Sequence, residues 1–326
     1  MIGNQVKSFL GQDWEKVQQF IRCALDSEIE LLNKVNSEVL SRAGKQLRPM
    51  VCLLMAKACS ADGLLNEDSC RYAAASELLH NATLMHDDVA DGSKIRRGAP
   101  SVSARIGANA AVLLGDFWLS KAVGEVLGAQ YRAEVVQLFS KTLCDLSKGE
   151  MLQLQNAFQA STDEQDYLKV IYCKTASLFE SACVSGALSV DASADAVAAA
   201  YSYANALGNA FQIKDDILDY QGGEKLGKPM GVDIREGKIT LPLLGAFRND
   251  PRQERKIRKA LRQKETSPEF FDAVSSFVLA NGGVEYASGV LDGFVRKAVS
   301  ALDIFEDSQQ KEYLVQIAEY NAFRNV

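Results

Sequence analysis

The stretch "AVAAAYSYANALGNAFQI", Ala196 to Ile213, carries no charge and runs directly into "KDDILDY", Lys214 to Tyr220. On length alone it could cross a bilayer. Ser202, Asn205, Gly208, Asn209 and Gln212 interrupt it, however, and three carboxylates follow at once. The spacing therefore predicts a helix enclosed by other helices, not a transmembrane span. A helix apolar nearly all round needs a large all-helical core around it, and that requirement sets the fold class.

The flanking sequence agrees. "DWEKVQQFIRCALDSEIELLNKV", residues 13–35, repeats apolar residues at spacings of three and four. Good helix formers dominate, only 6 prolines occur in 326 residues, and alternating β-branched runs are nearly missing. With 47% hydrophobic and 24% charged residues the chain has globular composition. No low-complexity linker divides it, so the expectation is a single all-α domain over residues 1–326. The net charge of −6 gives no general support for a nucleic-acid partner. The 7 cysteines are scattered, odd in number and without a CxxC pair, as expected of free thiols in a reducing compartment. The N-terminus lacks a basic start followed by an apolar run, so a cytoplasmic location without a signal peptide is expected.

Two segments echo each other. "HDDVAD" holds Asp87, Asp88 and Asp91, and "KDDILDY" holds Asp215, Asp216 and Asp219. On a helix, residues four apart share a face, so Asp87 stacks with Asp91 and Asp215 with Asp219. Like charges so placed repel unless a cation lies between them. A single DDxxD is more often a solvated helix end. Two copies, each at the end of an apolar helix, point to two acidic patches that hold Mg²⁺ and a polyanion. Carboxylates without cysteine suit hard cations, and Mg²⁺ is usually held by few carboxylates plus substrate phosphates. Arg96 and Arg97 follow the first cluster, Lys225, Lys228, Arg235 and Lys238 follow the second, and Lys45 and Arg48 lie in "AGKQLRP". Arginine suits bidentate phosphate contact and lysine a point contact. Lys225 and Arg235 are read as solvated charges.

The motifs "GKQLRP", "ELLHNATLMHDDVADGSKIRRG", "KGEMLQLQ", "YCKTASLFE", "FQIKDDILDY" and "GKPMGVDIREGKITLPLL", in this order, resemble those of trans-isoprenyl diphosphate synthases, with long-chain octaprenyl-type synthases nearest. The resemblance implies the isoprenoid synthase fold: an all-α bundle around a deep central cavity, usually a homodimer. It implies condensation of isopentenyl diphosphate onto an allylic diphosphate, with about three Mg²⁺ ions held between the aspartate clusters and the diphosphate. Residue by residue, Lys45, Arg48, His80 and Arg97 resemble the isopentenyl diphosphate site. Arg96, Lys174, Thr175, Gln212, Lys228 and Lys238 resemble the groups that contact the allylic diphosphate. Ala82 and Thr83 occupy the positions where bulky aromatics end chain growth in this family. Both are small, which implies a long product destined for a membrane. Gln46 and Ala43 depart from the family pattern, which often has Arg and Gly there. His86 is read as structural. Competing readings are a terpene cyclase, which normally lacks the second DDxxD, a short-chain synthase, and a non-catalytic subunit, whose acidic and basic residues are usually eroded.

Overall fold

In the computed structural model, the described residues are 2–130, 132–221 and 231–323. They are helical almost throughout. In chain order the elements are α1 (Ile2–Leu25), α2 (Glu30–Ser41), α3 (Leu47–Cys59), α4 (Glu67–Ala90), β1 (Ile95–Arg96), β2 (Ala99–Pro100), α5 (Val102–Ile106), α6 (Ala108–Gly128), α7 (Arg132–Gln159) and α8 (Glu164–Ile171). A π-helical turn (Tyr172–Ala176) follows, then α9 (Ser177–Ser189), α10 (Ala194–Gln221), α11 (Val232–Arg235), α12 (Leu241–Asn249), α13 (Pro251–Arg262), α14 (Pro268–Ala280), α15 (Gly283–Ser300) and α16 (Gln309–Phe323).

Several helices start at a side chain that caps them. Asn66, Asp163, Asp250 and Ser267 each accept a hydrogen bond from a backbone N–H of the first turn they precede. Pro251 and Pro268 sit at first helical positions, where no N–H is needed. Among the described residues no helix is long and apolar enough to cross a membrane, and Ala196–Ile213 lies inside α10 as expected. All seven cysteines are free thiols.

The chain divides into two compact units. The first comprises Met1–Ser140, Ser181–Tyr201 and Ile304–Leu314. In it α4 packs against α1, α3 and α6. Helix α3 is buried from Arg48 to Ala56 without a break, because its apolar residues run round the whole circumference. The second unit comprises Lys141–Glu180, Ser202–Asp303 and Val315–Val326. Its core gathers Tyr167 and Ile171, the α10 residues Ala210, Ile213 and Ile217, and apolar residues of α12, α14 and α15.

One feature departs from the helical expectation. The segment "IRRGAP" forms a two-stranded hairpin, with Ile95 opposite Pro100 and Arg96 opposite Ala99. The two turn residues, Arg97 and Gly98, have φ of 51° and 74°. Positive φ at both central positions is the turn that matches strand twist. Glycine adopts it freely, while an arginine there carries strain on the order of 1 kcal/mol or more. Gln46, the N-cap of α3 between Lys45 and Arg48, is also left-handed, with φ 53° and ψ 45°.

Candidate active site

In the first unit, α4 carries His80, Ala82, Thr83, Asp87 and Asp88, with Asp91 at its C-cap. Asp88 is buried, Asp87 half-buried and Asp91 exposed. Arg96 donates to Asp88 Oδ1 from Nε at 2.9 Å and from Nη2 at 2.5 Å. Arg96 therefore arrives from the hairpin as a neutralising partner of the first cluster. Arg97 lies on the other side of the turn and donates to the Arg42 carbonyl at 2.9 Å. It packs over Gly44 so closely that a Cβ there would meet the guanidinium carbon at 2.8 Å. Arg42, Arg96 and Arg97 line a cavity of about 70 Å³ together with Asn81, Asp88 and Arg105.

Arg48, Arg97 and Arg96 lie within electrostatic reach of His80. Loss of hydration first, then repulsion by these three arginines, holds its pKa well below the ordinary value. His80 is therefore a neutral imidazole at neutral pH. It offers an N–H to an anionic ligand without adding charge. Glu77, one turn earlier, is a residue the sequence reading passed over. Asn81 Nδ2 donates to its Oε1 at 3.0 Å, and Oε2 has no hydrogen-bond partner among the described residues. Burial raises its pKa, while Asn81, Arg48, Arg97 and Lys7 pull the other way. Lys45 is exposed. His86 lies 3.2 Å from the Val112 carbonyl and fills the space left by Gly115, in keeping with a packing role.

In the second unit, the α7 residue Gln153, the α10 residues Gln212 and Asp216, and Tyr167, Lys174, Asp233 and Lys238 line a cavity of about 140 Å³. A hydrogen-bond chain runs along one side. Thr175 Oγ1 donates to Gln212 Oε1 at 2.8 Å, Gln212 Nε2 donates to Asp216 Oδ1 at 2.9 Å, and Tyr167 Oη donates to Asp216 Oδ2 at 2.7 Å. Lys174 donates to Gln153 Oε1 at 3.0 Å and pairs with Glu150. Lys238 donates to Glu236 Oε2 at 2.5 Å. Asp215 is half-buried beside Asp216.

Asp219 stands apart from its neighbours. Its Oδ1 accepts from the Val232 N–H and its Oδ2 from the Asp233 N–H, both at 3.1 Å. The side chain thus anchors the segment that carries Asp233 and Lys238. Asp233 was missed at the sequence level because a lone aspartate in a Gly-bounded break reads as loop. Lys228, predicted to contact the allylic diphosphate, and Lys225 lie outside the described residues.

Carboxylates dominate the electrostatics of this cavity. Asp216 is pushed up to about 7, by loss of hydration first and then by Asp215 and Asp219, against the hydrogen bonds from Tyr167 and Gln212. Asp233 is raised well above the usual carboxylate range by burial, then by Asp216 and Asp219. Burial raises Asp219 as well. Several carboxylates crowd a poorly hydrated space with Lys238 as the cation that offsets Asp233. The donor set is all oxygen, and a hard divalent cation fits it. Among the described residues no three carboxylate, imidazole or thiol groups converge closely enough to hold a metal by themselves.

Residues 29–277 match the family model described as polyprenyl synthetase. The chain is 36% identical over 310 residues to an all-trans-nonaprenyl-diphosphate synthase (geranyl-diphosphate specific) of Rhodobacter capsulatus, covering 94% of each chain. It is 34% identical over 316 residues to the octaprenyl diphosphate synthase of Escherichia coli K12, covering 96% of each. Among solved structures, a polyprenyl synthase from Caulobacter crescentus CB15, complexed with calcium and isoprenyl diphosphate, superposes with a TM-score of 0.91 at 30% identity, covering 99% of this chain and 98% of that one. The architecture is the isoprenoid synthase fold, as expected from the ordered motifs. The chain belongs to the polyprenyl synthetase family, the transferases that lengthen prenyl diphosphates.

Proposed function

We propose that this protein condenses isopentenyl diphosphate successively onto an allylic diphosphate and releases a long all-trans polyprenyl diphosphate, octaprenyl or longer. The observation that carries the reading is the hydrogen-bonded row Thr175–Gln212–Asp216–Tyr167 beside Lys174, a row of donors around one buried carboxylate suited to a metal-bound diphosphate. Similarity to nonaprenyl and octaprenyl synthases supports the long product. A family match spanning 29–277 supports reading the whole chain as one catalytic domain.

In this reading Asp87, Asp88, Asp91, Asp215, Asp216 and Asp219 supply oxygens to about three Mg²⁺ ions, with Asp219 also holding the adjoining segment in place. When bound, Mg²⁺ neutralises the charge that develops on the departing diphosphate. Lys174, Lys238, Arg96 and Lys228 add fixed positive charge to the same diphosphate, and Thr175 and Gln212 orient it. Such preorganised groups stabilise charge at the moment the allylic C–O bond breaks. Lys45, Arg48 and Arg97 bind the diphosphate of isopentenyl diphosphate, and neutral His80 donates an N–H to it. The homoallylic double bond then attacks the allylic carbon, and a proton leaves to the released diphosphate.

Exposed apolar residues support a homodimer. Leu113 and Leu127 on α6 are 68% and 51% exposed, with Val112 and Val123 on the same exposed side. On α7, Met151, Leu154 and Phe158 stand exposed at spacings of three and four. Such rows on soluble chains mark association surfaces. The reading places the enzyme in the cytoplasm, with a product that partitions into membranes. The test is release of inorganic diphosphate by the purified chain. It should require isopentenyl diphosphate, an allylic primer and Mg²⁺ together. Release from the allylic diphosphate alone would favour a cyclase.

A further inference from the structure

The π-helical turn Tyr172–Ala176 presents both Lys174 and Thr175. Its defining bond runs from the Ser177 N–H to the Tyr172 carbonyl. A π turn holds one residue more than an α turn and competes with the α register, which satisfies the backbone better. Something must hold the extra residue in place.

Glu180 is placed to do so. It is 2% exposed, touches neither cavity and has no part in the chemistry above. Tyr172 Oη donates to its Oε2 at 3.0 Å, across the turn. Positions eight apart on an uninterrupted α-helix point about 80° apart around the axis. With one residue looped out they act as seven apart, about 20° from the same face, and the two side chains can meet. The Tyr172–Glu180 bond is therefore specific to the π register. Asn205 Nδ2 of α10 donates to Glu180 Oε1 at 2.7 Å, and Lys141 Nζ of α7 donates to Tyr172 Oη at 2.7 Å. The turn is also pressed from α7, where a Cβ at Gly149 would lie 2.7 Å from Cys173 Cβ and 2.8 Å from Lys174 Cγ. Ser177 Oγ donates to the Cys173 carbonyl at 2.7 Å, filling an acceptor inside the turn.

We propose that Glu180 is a positioning residue that, through Tyr172, holds the π turn in the register from which Lys174 and Thr175 meet the allylic diphosphate. The proposal rests on the functional reading above. It adds a side chain outside both cavities to the machinery of that reaction. A shift of the turn into α register would rotate Lys174 and Thr175 by about 100° relative to α9.

The test is steady-state kinetics of the full chain with isopentenyl diphosphate and an allylic primer. Glu180→Leu keeps the volume and removes both acceptors. Its kcat should fall about ten- to a hundred-fold, the cost of a misplaced group, with KM for isopentenyl diphosphate within about twofold. Glu180→Gln can still accept from Tyr172 and, with Asn205 turned over, still meet its amide, so it should keep most of the activity. In a Lys174→Ala background, Glu180→Leu should cost less than about twofold more, because the two changes strike one unit. Wild-type kcat in Glu180→Leu, or the same fold-loss in both backgrounds, would overturn the proposal. If Glu180→Leu does not fold, Tyr172→Phe carries the same comparison, since it deletes only the hydroxyl. A wild-type chain without condensing activity would instead strike at the functional reading and leave the register itself to Tyr172→Phe, measured by amide exchange of the turn. Unchanged exchange would overturn it there.

Discussion

Tyr167 Oη donates to Asp216 Oδ2 at 2.7 Å, in a space so poorly hydrated that the carboxyl is pushed up to about 7. A carboxylate buried with Asp215 and Asp219 for neighbours costs stability in the metal-free protein. The folded chain binds this proton more tightly than the unfolded chain, whose value is near 3.8. The sign follows: the contribution of Asp216 to stability is full at acid pH and is lost as pH rises from 3.8 to about 7. Asp216→Asn should therefore raise the thermal midpoint of metal-free protein above pH 7 by about 1 kcal/mol, roughly 3 °C, while abolishing most turnover. Melts at acid and alkaline pH check this, and a variant less stable than wild type at alkaline pH would contradict it.

Loss of a metal-binding carboxylate should act on turnover and spare the fold. Asp87→Ala and Asp215→Ala should each lower kcat by about a hundredfold or more, since each removes stabilisation of the leaving diphosphate. Chelation with EDTA should abolish activity, and Mg²⁺ should restore it. Asp219→Ala should differ, because its carboxylate caps the backbone N–H groups of Val232 and Asp233. It should lower the thermal midpoint as well as kcat.

Arg97 and Lys174 should separate kinetically. Arg97→Ala should raise KM for isopentenyl diphosphate about tenfold with a smaller change in kcat, as expected for loss of uniform binding. Lys174→Ala should chiefly lower kcat, because charge on its diphosphate grows in the transition state. The close contact between Gly44 and the Arg97 guanidinium adds a second route to the first effect. Gly44→Ala, which touches no ligand, should displace Arg97 and mimic Arg97→Ala. Equal kinetics for Arg97→Ala and Lys174→Ala would refute the division.

Much of this was legible in the sequence. The uncharged Ala196–Ile213 run announced an enclosed helix, and two DDxxD clusters ending apolar helices announced the acidic chemistry. What escaped reading depends on partners distant in sequence. Nothing in "YCKTA" shows that the helix takes an extra residue there, because the cause is packing by α7 and α10. Asp219 reads as a third ligand, and nothing in its motif shows that its oxygens also take backbone donors more than ten residues later. Tyr167 and Glu77 have no role in the sequence reading. Only the fold puts the first on Asp216 and the second within reach of Arg48 and Arg97.

Chain length should respond to Thr83 more cleanly than to Ala82. Ala82 is fully buried, while Thr83 is half-buried with its hydroxyl bonded to the His80 carbonyl at 2.8 Å. A phenylalanine at 82 must overpack a close-packed interior, at about 1–3 kcal/mol. Thr83→Tyr has room and should shift products toward farnesyl or geranylgeranyl diphosphate with first-step condensation largely intact. Loss of total activity with product length unchanged would mean that Thr83 only packs against a neighbouring helix.

The central claim is tested most directly by sizing the products of the wild-type chain. Purified protein should be incubated with Mg²⁺, an allylic primer and excess isopentenyl diphosphate, and the dephosphorylated products resolved by mass. The account predicts all-trans products of octaprenyl length or longer as the dominant species. A reaction that stops at farnesyl or geranylgeranyl diphosphate, or no condensation by the chain alone, would contradict it.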